Sequence, residues 1–145
     1  MSVVQPKISR SKVRVRYAET DQMGVVYHAN FFIWFEVGRV ELLRQAGLDY
    51  KQRESREEFH IAVVEASCRY KSPARYDDEL ILETHIVALR RSVLKFGYRV
   101  LRDEAGSPRL LADGDTTHVV VDRHLQKIAL PEIFATALER FMSGS

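Results

Sequence analysis

The sequence predicts an α+β domain: an antiparallel sheet of about five strands packed around one long buried helix. Three observations predict it. The run from Phe31 to Ala46 opens with Phe31, Phe32, Ile33, Trp34, Phe35 and Val37, which leave no polar face in its first two turns. A helix of that kind is enclosed by the rest of a protein rather than laid on its surface. One alternating strand precedes it, and four strand-like segments follow it at hairpin spacing. Strands grouped in sequence with one helix set apart give an α+β arrangement.

The elements follow in order. Residues 1–10, with Pro6 and two serines, form a loose arm ahead of a single domain over 11–141, and 142–145 form a disordered tail. From Ser11 to Tyr17 the chain alternates, with Val13, Val15 and Tyr17 on one face and Lys12, Arg14 and Arg16 on the other. That is a half-buried strand. Asn30 is placed to cap the long helix and Gly47 to end it. Asp49 to Glu58 is a charged connection with room for one helical turn. Phe59 to Tyr70 is a strand that Ser72-Pro73 ends or bends. Tyr76-Asp77-Asp78-Glu79 is a turn, Leu80 to Leu89 a strand, and Arg90-Arg91-Ser92 a short connection. Val93 to Leu101 and Leu110 to Val121 are strands joined through the hairpin signal Asp103-Glu104-Ala105-Gly106. Pro131 opens a short amphipathic helix with Ile133, Phe134, Ala137, Leu138 and Phe141 on one stripe.

Composition narrows the class. A chain of 145 residues suits one domain with one core. A net charge of +2 with no dense Lys/Arg run gives no argument for nucleic acid. The single cysteine, Cys68, excludes an intrachain disulfide. His60, His85, His118 and His124 have no metal-ligand spacing with acids or with Cys68, so no metal is expected. The polar N-terminal residues do not form a signal peptide, and the long helix is too short and too charged to span a membrane. A cytoplasmic protein is the expectation. One helix covers one face of a sheet, so self-association is expected to cover what remains.

The chemistry concentrates in Glu19-Thr20-Asp21-Gln22-Met23-Gly24-Val25-Val26-Tyr27-His28-Ala29-Asn30. This loop brings a carboxylate and an imidazole to the start of a helix, where amides and dipole favour an anion. Asp21 serves equally well, on spacing alone, as the first residue of an Asp-Gln-Met-Gly turn. Tyr17 on the apolar strand face reads as core, with a hydroxyl reaching the site as the rival. Glu36 and Arg39 are three apart on the helix and read as a buried or interface ion pair, with Glu36 as a catalytic carboxylate as the rival. Cys68 reads as a small core residue.

Arg14-Val15-Arg16-Tyr17, Glu19-Thr20-Asp21, Gly24-Val25-Val26-Tyr27-His28-Ala29-Asn30, Glu36 and Arg39 together resemble the acyl-CoA thioesterases of the 4-hydroxybenzoyl-CoA thioesterase family, which have the hotdog fold. Within it, the presence of His28 resembles the branch that includes the thioesterase of the Tol–Pal envelope system. The resemblance is specific over Val13 to Arg44 and is only a pattern match beyond Tyr70. It implies hydrolysis of an acyl-CoA to free acid and CoA, without metal or organic cofactor. It also implies a homodimer or a dimer of dimers with sites at the subunit interface. It places the catalytic aspartate on Asp21 and assisting roles on His28 and Tyr17.

A thioester needs a nucleophile or activated water and a place for carbonyl charge. Asp21 fits either form of attack, and backbone amides around His28 fit the second need. Gly24, Val25, Val26, Tyr27 and Asn30 are the expected substrate-binding residues of the loop. Arg90 and Arg91, with Arg123 and Lys127, are candidates for the phosphates of CoA. The rival readings are a thioesterase acting on acyl carrier protein, a hotdog dehydratase, and a non-catalytic acyl-CoA-binding module.

Overall fold

The structure, a computed structural model, describes residues 7–48 and 59–144. The charged connection expected over 49–58, most of the expected N-terminal arm and residue 145 lie outside the described residues. Five strands form one antiparallel sheet: β1 (Ser9–Arg14), β2 (Phe59–Tyr70), β3 (Glu79–Leu89), β4 (Val93–Glu104) and β5 (Ser107–Asp122). Their spatial order is β1-β3-β4-β5-β2. Helix α1 (Asn30–Gln45) lies on one face, and helix α2 (Glu132–Ser143) follows the last strand.

Alternation explains the sheet. Leu80, Leu82, Thr84 and Ile86 of β3 and Leu94, Phe96, Tyr98 and Val100 of β4 are buried toward α1, and Thr116, His118 and Val120 of β5 continue that face. The opposite face carries ion pairs such as Arg10–Glu83 and Arg69–Asp113. Phe35 of α1 stacks flat on Tyr98, with centroids 4.3 Å apart. The helix approaches β3 closely because residue 38 is glycine. A Cβ there would stand 2.4 Å from Thr84 Oγ1.

Several expectations need correction. Strand β1 begins at Ser9, whose partner is Thr84, so residues 9 and 10 belong to the sheet and not to an arm. It leaves the sheet at Arg14, and Tyr17–Glu19 forms a 3-10 turn. Tyr17 is therefore 78% exposed, not core. Ala29 precedes the first helical residue, and Asn30 makes no cap bond. The expected tail is helical as far as Ser143. Ile133 of α2 is exposed, while Phe134, Leu138 and Phe141 are buried as expected. Strands β4 and β5 run longer than their alternation suggests, because the Ala105-Gly106 turn lets Glu104 pair with Ser107. The end of α1 agrees with expectation: the Gly47 N–H donates to the Arg44 carbonyl (3.0 Å) and the Leu48 N–H to the Leu43 carbonyl (2.9 Å).

The helix is not enclosed on every side by its own chain. Phe31, Trp34, Phe35, Gly38, Leu42 and Leu43 are buried, but Ile33 is 53% exposed and Glu36 is exposed. Glu36 and Arg39 form no ion pair among the described residues. Arg39 Nη1 donates instead to the Tyr98 hydroxyl at 3.4 Å. The two side chains share a cavity of about 120 Å³ with Val40, Leu43, Ile61, Phe96 and His118.

Candidate active site

The loop ahead of α1 is built around Glu19. Its side chain is buried, and Oε1 accepts the Arg16 N–H at 2.7 Å. Its carbonyl accepts the Tyr27 N–H at 2.8 Å and Asn30 Nδ2–H at 2.9 Å. Asn30 thus ties the first turn of α1 to the start of the loop. Between these anchors the chain doubles back at Asp21. The Asp21 N–H donates to the Val25 carbonyl (2.8 Å), and the Gly24 N–H donates to the Asp21 carbonyl (3.0 Å). Gly24 has φ +80°, a conformation that glycine adopts without a Cβ penalty.

The Asp21 side chain completes this turn. Oδ1 accepts the Met23 N–H at 2.9 Å and the Val25 N–H at 3.4 Å. Oδ2 has no donor among the described residues. Asp21 is a turn residue, and it also lines a groove of about 350 Å³. Met23, Val25, Val26, His28 and Phe31 line that groove from the loop and helix side. Tyr70, Lys71, Ser72, Pro73 and Ala74 line it from the end of β2 and the segment beyond. The Val26 N–H donates to the Ala74 carbonyl at 2.8 Å and holds the two sides together.

At the loop-to-helix junction the Asn30 N–H donates to the Tyr27 carbonyl and the Phe31 N–H to the His28 carbonyl. The His28 and Ala29 amides have no acceptor among the described residues. They stand at the N-terminus of a 16-residue helix, where unpaired N–H groups and the dipole favour negative charge. The His28 ring packs on Tyr27, with centroids 4.5 Å apart, and meets the edge of Tyr70 at 6.1 Å. The Tyr70 hydroxyl donates to the His28 carbonyl at 2.9 Å. Burial first, then the Cys68 thiol, pushes the Tyr70 phenol up to about 12. Burial likewise pushes the Cys68 thiol above its ordinary value, which fits an unreactive strand residue.

The structure brings Asp21, Val25, Val26 and His28 to one groove, with Gly24, Tyr27 and Asn30 shaping the backbone behind it. It does not bring the other expected residues there within one chain. Tyr17 packs edge-on against Tyr76, with centroids 5.8 Å apart, and does not line the groove. Arg90 and Arg91 occupy the β3–β4 turn, where the Val120 N–H meets the Ser92 carbonyl. Tyr70, beside the groove, pairs with Ala112. The eight residues from Ala112 to Val120 along β5 correspond to roughly 26 Å of strand. Sequence reasoning missed Tyr70 to Ala74 as a wall of the site, since Ser72-Pro73 carries only a strand-ending signal.

A five-stranded antiparallel sheet of order β1-β3-β4-β5-β2 with one long helix packed on one face, and a carboxylate-bearing loop at the helix start, defines a protein of the hotdog class. The sequence model of the Thioesterase-like superfamily matches residues 15–141. YneP of Bacillus subtilis strain 168 is 35% identical over 116 residues, covering 80% of this chain and 81% of that protein. The acyl-CoA thioester hydrolase YbgC of Escherichia coli O6:H1 is 35% identical over 113 residues, covering 78% and 81%. The three-dimensional structure of 4-hydroxybenzoyl CoA thioesterase from Pseudomonas sp. strain CBS-3 superposes with a TM-score of 0.81 over 90% of this chain and 99% of that one, at 21% identity, a likeness of fold. The chain belongs to the thioesterase-like superfamily and is a thioester hydrolase. No helix among the described residues is long and apolar enough to cross a membrane.

Proposed function

We propose that the protein hydrolyses acyl-CoA thioesters to the free acid and CoA, with Asp21 as the attacking carboxylate or as the base that activates water. The observation that carries this reading is the shared groove: Asp21, a carboxylate with one free oxygen, and His28, at the N-terminus of α1, both line it. As a general base, Asp21 Oδ2 takes the proton of a water that attacks the thioester carbonyl carbon. As a nucleophile, Oδ2 attacks that carbon itself, and water then cleaves the mixed anhydride. In both forms the carbonyl oxygen gains charge beside the His28 and Ala29 amides, and collapse expels the CoA thiolate. One such donor is typically worth about 3 kcal/mol in the transition state. His28 orients the acyl carbonyl at the same junction.

The active unit in this reading is a homodimer formed along β2. This strand is an edge of the sheet, with Val63, Val64, Glu65 and Ala66 exposed. Two copies related by a two-fold axis meet there antiparallel. The Phe59 end of one β2 then faces the Tyr70 end of the other, which carries one chain's Arg90, Arg91, Arg123 and Lys127 toward the other chain's groove. That arrangement gives the arginines a role with CoA phosphates that a single chain does not support.

The test is release of free thiol from short, long and aromatic acyl-CoAs by the native protein and by Asp21→Asn. Selective turnover that disappears in the variant, with the fold retained, is the expected result. Near-native activity of Asp21→Asn overturns the assignment. Turnover of acyl carrier protein esters alone would transfer the site to that substrate class.

A further inference from the structure

We infer that Tyr70 is a positioning residue of the groove: its phenol O–H holds the His28 carbonyl and thereby sets the loop-to-helix junction against Asp21. The inference rests on the thioesterase reading above and assigns a residue that the reading does not use. Tyr70 is the last residue of β2, 42 positions from His28, yet its hydroxyl lies 2.9 Å from that carbonyl. The same carbonyl accepts the Phe31 N–H at 3.2 Å, so a first-turn acceptor of α1 carries a second bond from the sheet. The ring packs edge-on against Phe31 at 5.3 Å and His28 at 6.1 Å. These contacts fix the phenol from two sides. The carbonyl of His28 and the amide of Ala29 belong to one planar peptide unit. Holding the carbonyl therefore fixes the direction in which the Ala29 N–H points. An oxyanion donor is effective in proportion to how well it is aimed before reaction.

The position of Tyr70 adds a consequence. It ends the exposed edge strand, so the bond links the sheet edge to the reacting end of the groove. The phenol is a neutral donor across ordinary pH, since burial and the neighbouring thiol raise it well above the assay range.

The experiment compares the native protein with Tyr70→Phe, which keeps the ring contacts and deletes only the hydroxyl. With an acyl-CoA that the native protein turns over, kcat is expected to fall about tenfold while KM stays within about twofold, because one hydrogen bond that aims the junction is lost. Amide exchange at Asn30 and Phe31 is expected to rise about tenfold, with the middle of α1 unchanged, since the opening of the first turn loses that bond. A change in KM alone would make Tyr70 a wall for substrate and overturn the inference. Unchanged exchange at Asn30 and Phe31 would overturn it as well. Absence of acyl-CoA turnover by the native protein is a failure of the thioesterase reading, and the exchange measurement still decides whether Tyr70 holds the junction.

Discussion

Acidification from about pH 7.5 to about pH 4.5 should strip stability from this fold through one buried side chain, His118. The residue is 1% exposed, and its Nε2 lies 2.8 Å from Thr116 Oγ1. Thr116 Oγ1 is in turn 2.5 Å from the Tyr98 hydroxyl, which accepts from Arg39 Nη1. Arg39, which can only donate, starts this chain, and the Tyr98–Thr116 and Thr116–His118 hydrogen bonds carry it on to the imidazole. Burial, followed by the Arg39 cation, holds the His118 imidazole down at about 4, below its ordinary 6.5, and only the Ile61 backbone acts in the opposite sense. The unfolded chain takes up a proton at this residue near 6.5, and the folded one does not until about 4. Stability is therefore lost as pH falls through that window, by up to about 1.4 kcal/mol per pH step and by about 2.5 kcal/mol between the two ends. The assay is urea unfolding at fixed protein concentration across the range, for the native protein and for His118→Gln, which keeps an acceptor for Thr116 and cannot charge. The native protein should lose about 2.5 kcal/mol more than the variant between the two ends. Parallel loss in both proteins would refute the reasoning, because carboxylates and not His118 would then govern acid stability.

Three further outcomes test other parts of the structure. Gly114→Ala should cost about 3 kcal/mol or abolish folding, since its Cβ would stand 2.1 Å from the Ser67 carbonyl oxygen and 2.9 Å from Phe35 Cε2; chemical denaturation reads this directly. Val64→Lys on the exposed edge of β2 should shift the protein toward monomer in sedimentation and lower acyl-CoA turnover in proportion to dimer lost. Asn30→Ala should lower stability by about 1 kcal/mol through loss of the Nδ2 bond to the Glu19 carbonyl, measured by thermal unfolding.

Much of the sheet was legible because burial on one face leaves a period-two trace. The bounds of β2 agree with expectation at both ends, and β3 differs by one residue. Tyr17 shows where that trace misleads. The alternation continues through it, but the chain leaves the sheet earlier, drawn into a turn by the buried Glu19 carboxylate on the Arg16 amide. Nothing in the local pattern announces that a glutamate is interior. Asn30 fails for a related reason. Its capping preference is local, and the Glu19 carbonyl eleven residues earlier competes for its side chain. Glu36 and Arg39 are neighbours on a helix by geometry, yet the guanidinium is taken by a tyrosine hydroxyl from β4. Tyr70 was invisible as a site residue because its partner is 42 positions away. Local periodicity records which face is buried; it does not record which distant polar group a side chain will find.

Asp21 unites two readings that the sequence set against each other. As a turn residue it uses Oδ1, which accepts from the Met23 and Val25 amides. As the proposed catalyst it uses Oδ2, which those bonds leave free. The turn is thus what aims the reactive oxygen, and the two roles can be separated by substitution. Asparagine retains an acceptor oxygen for the turn and removes the charge, whereas alanine removes both. Asp21→Asn should therefore lose turnover while its unfolding free energy stays within about 0.5 kcal/mol of native. Asp21→Ala should lose the same turnover and about 1 kcal/mol of stability besides, the ordinary net worth of the turn bond. Urea unfolding beside thiol release decides it. Equal stability of the two variants would show that the Oδ1 bonds contribute nothing to the loop. Retained turnover in Asp21→Asn would show that charge at this position is not what cleaves the thioester.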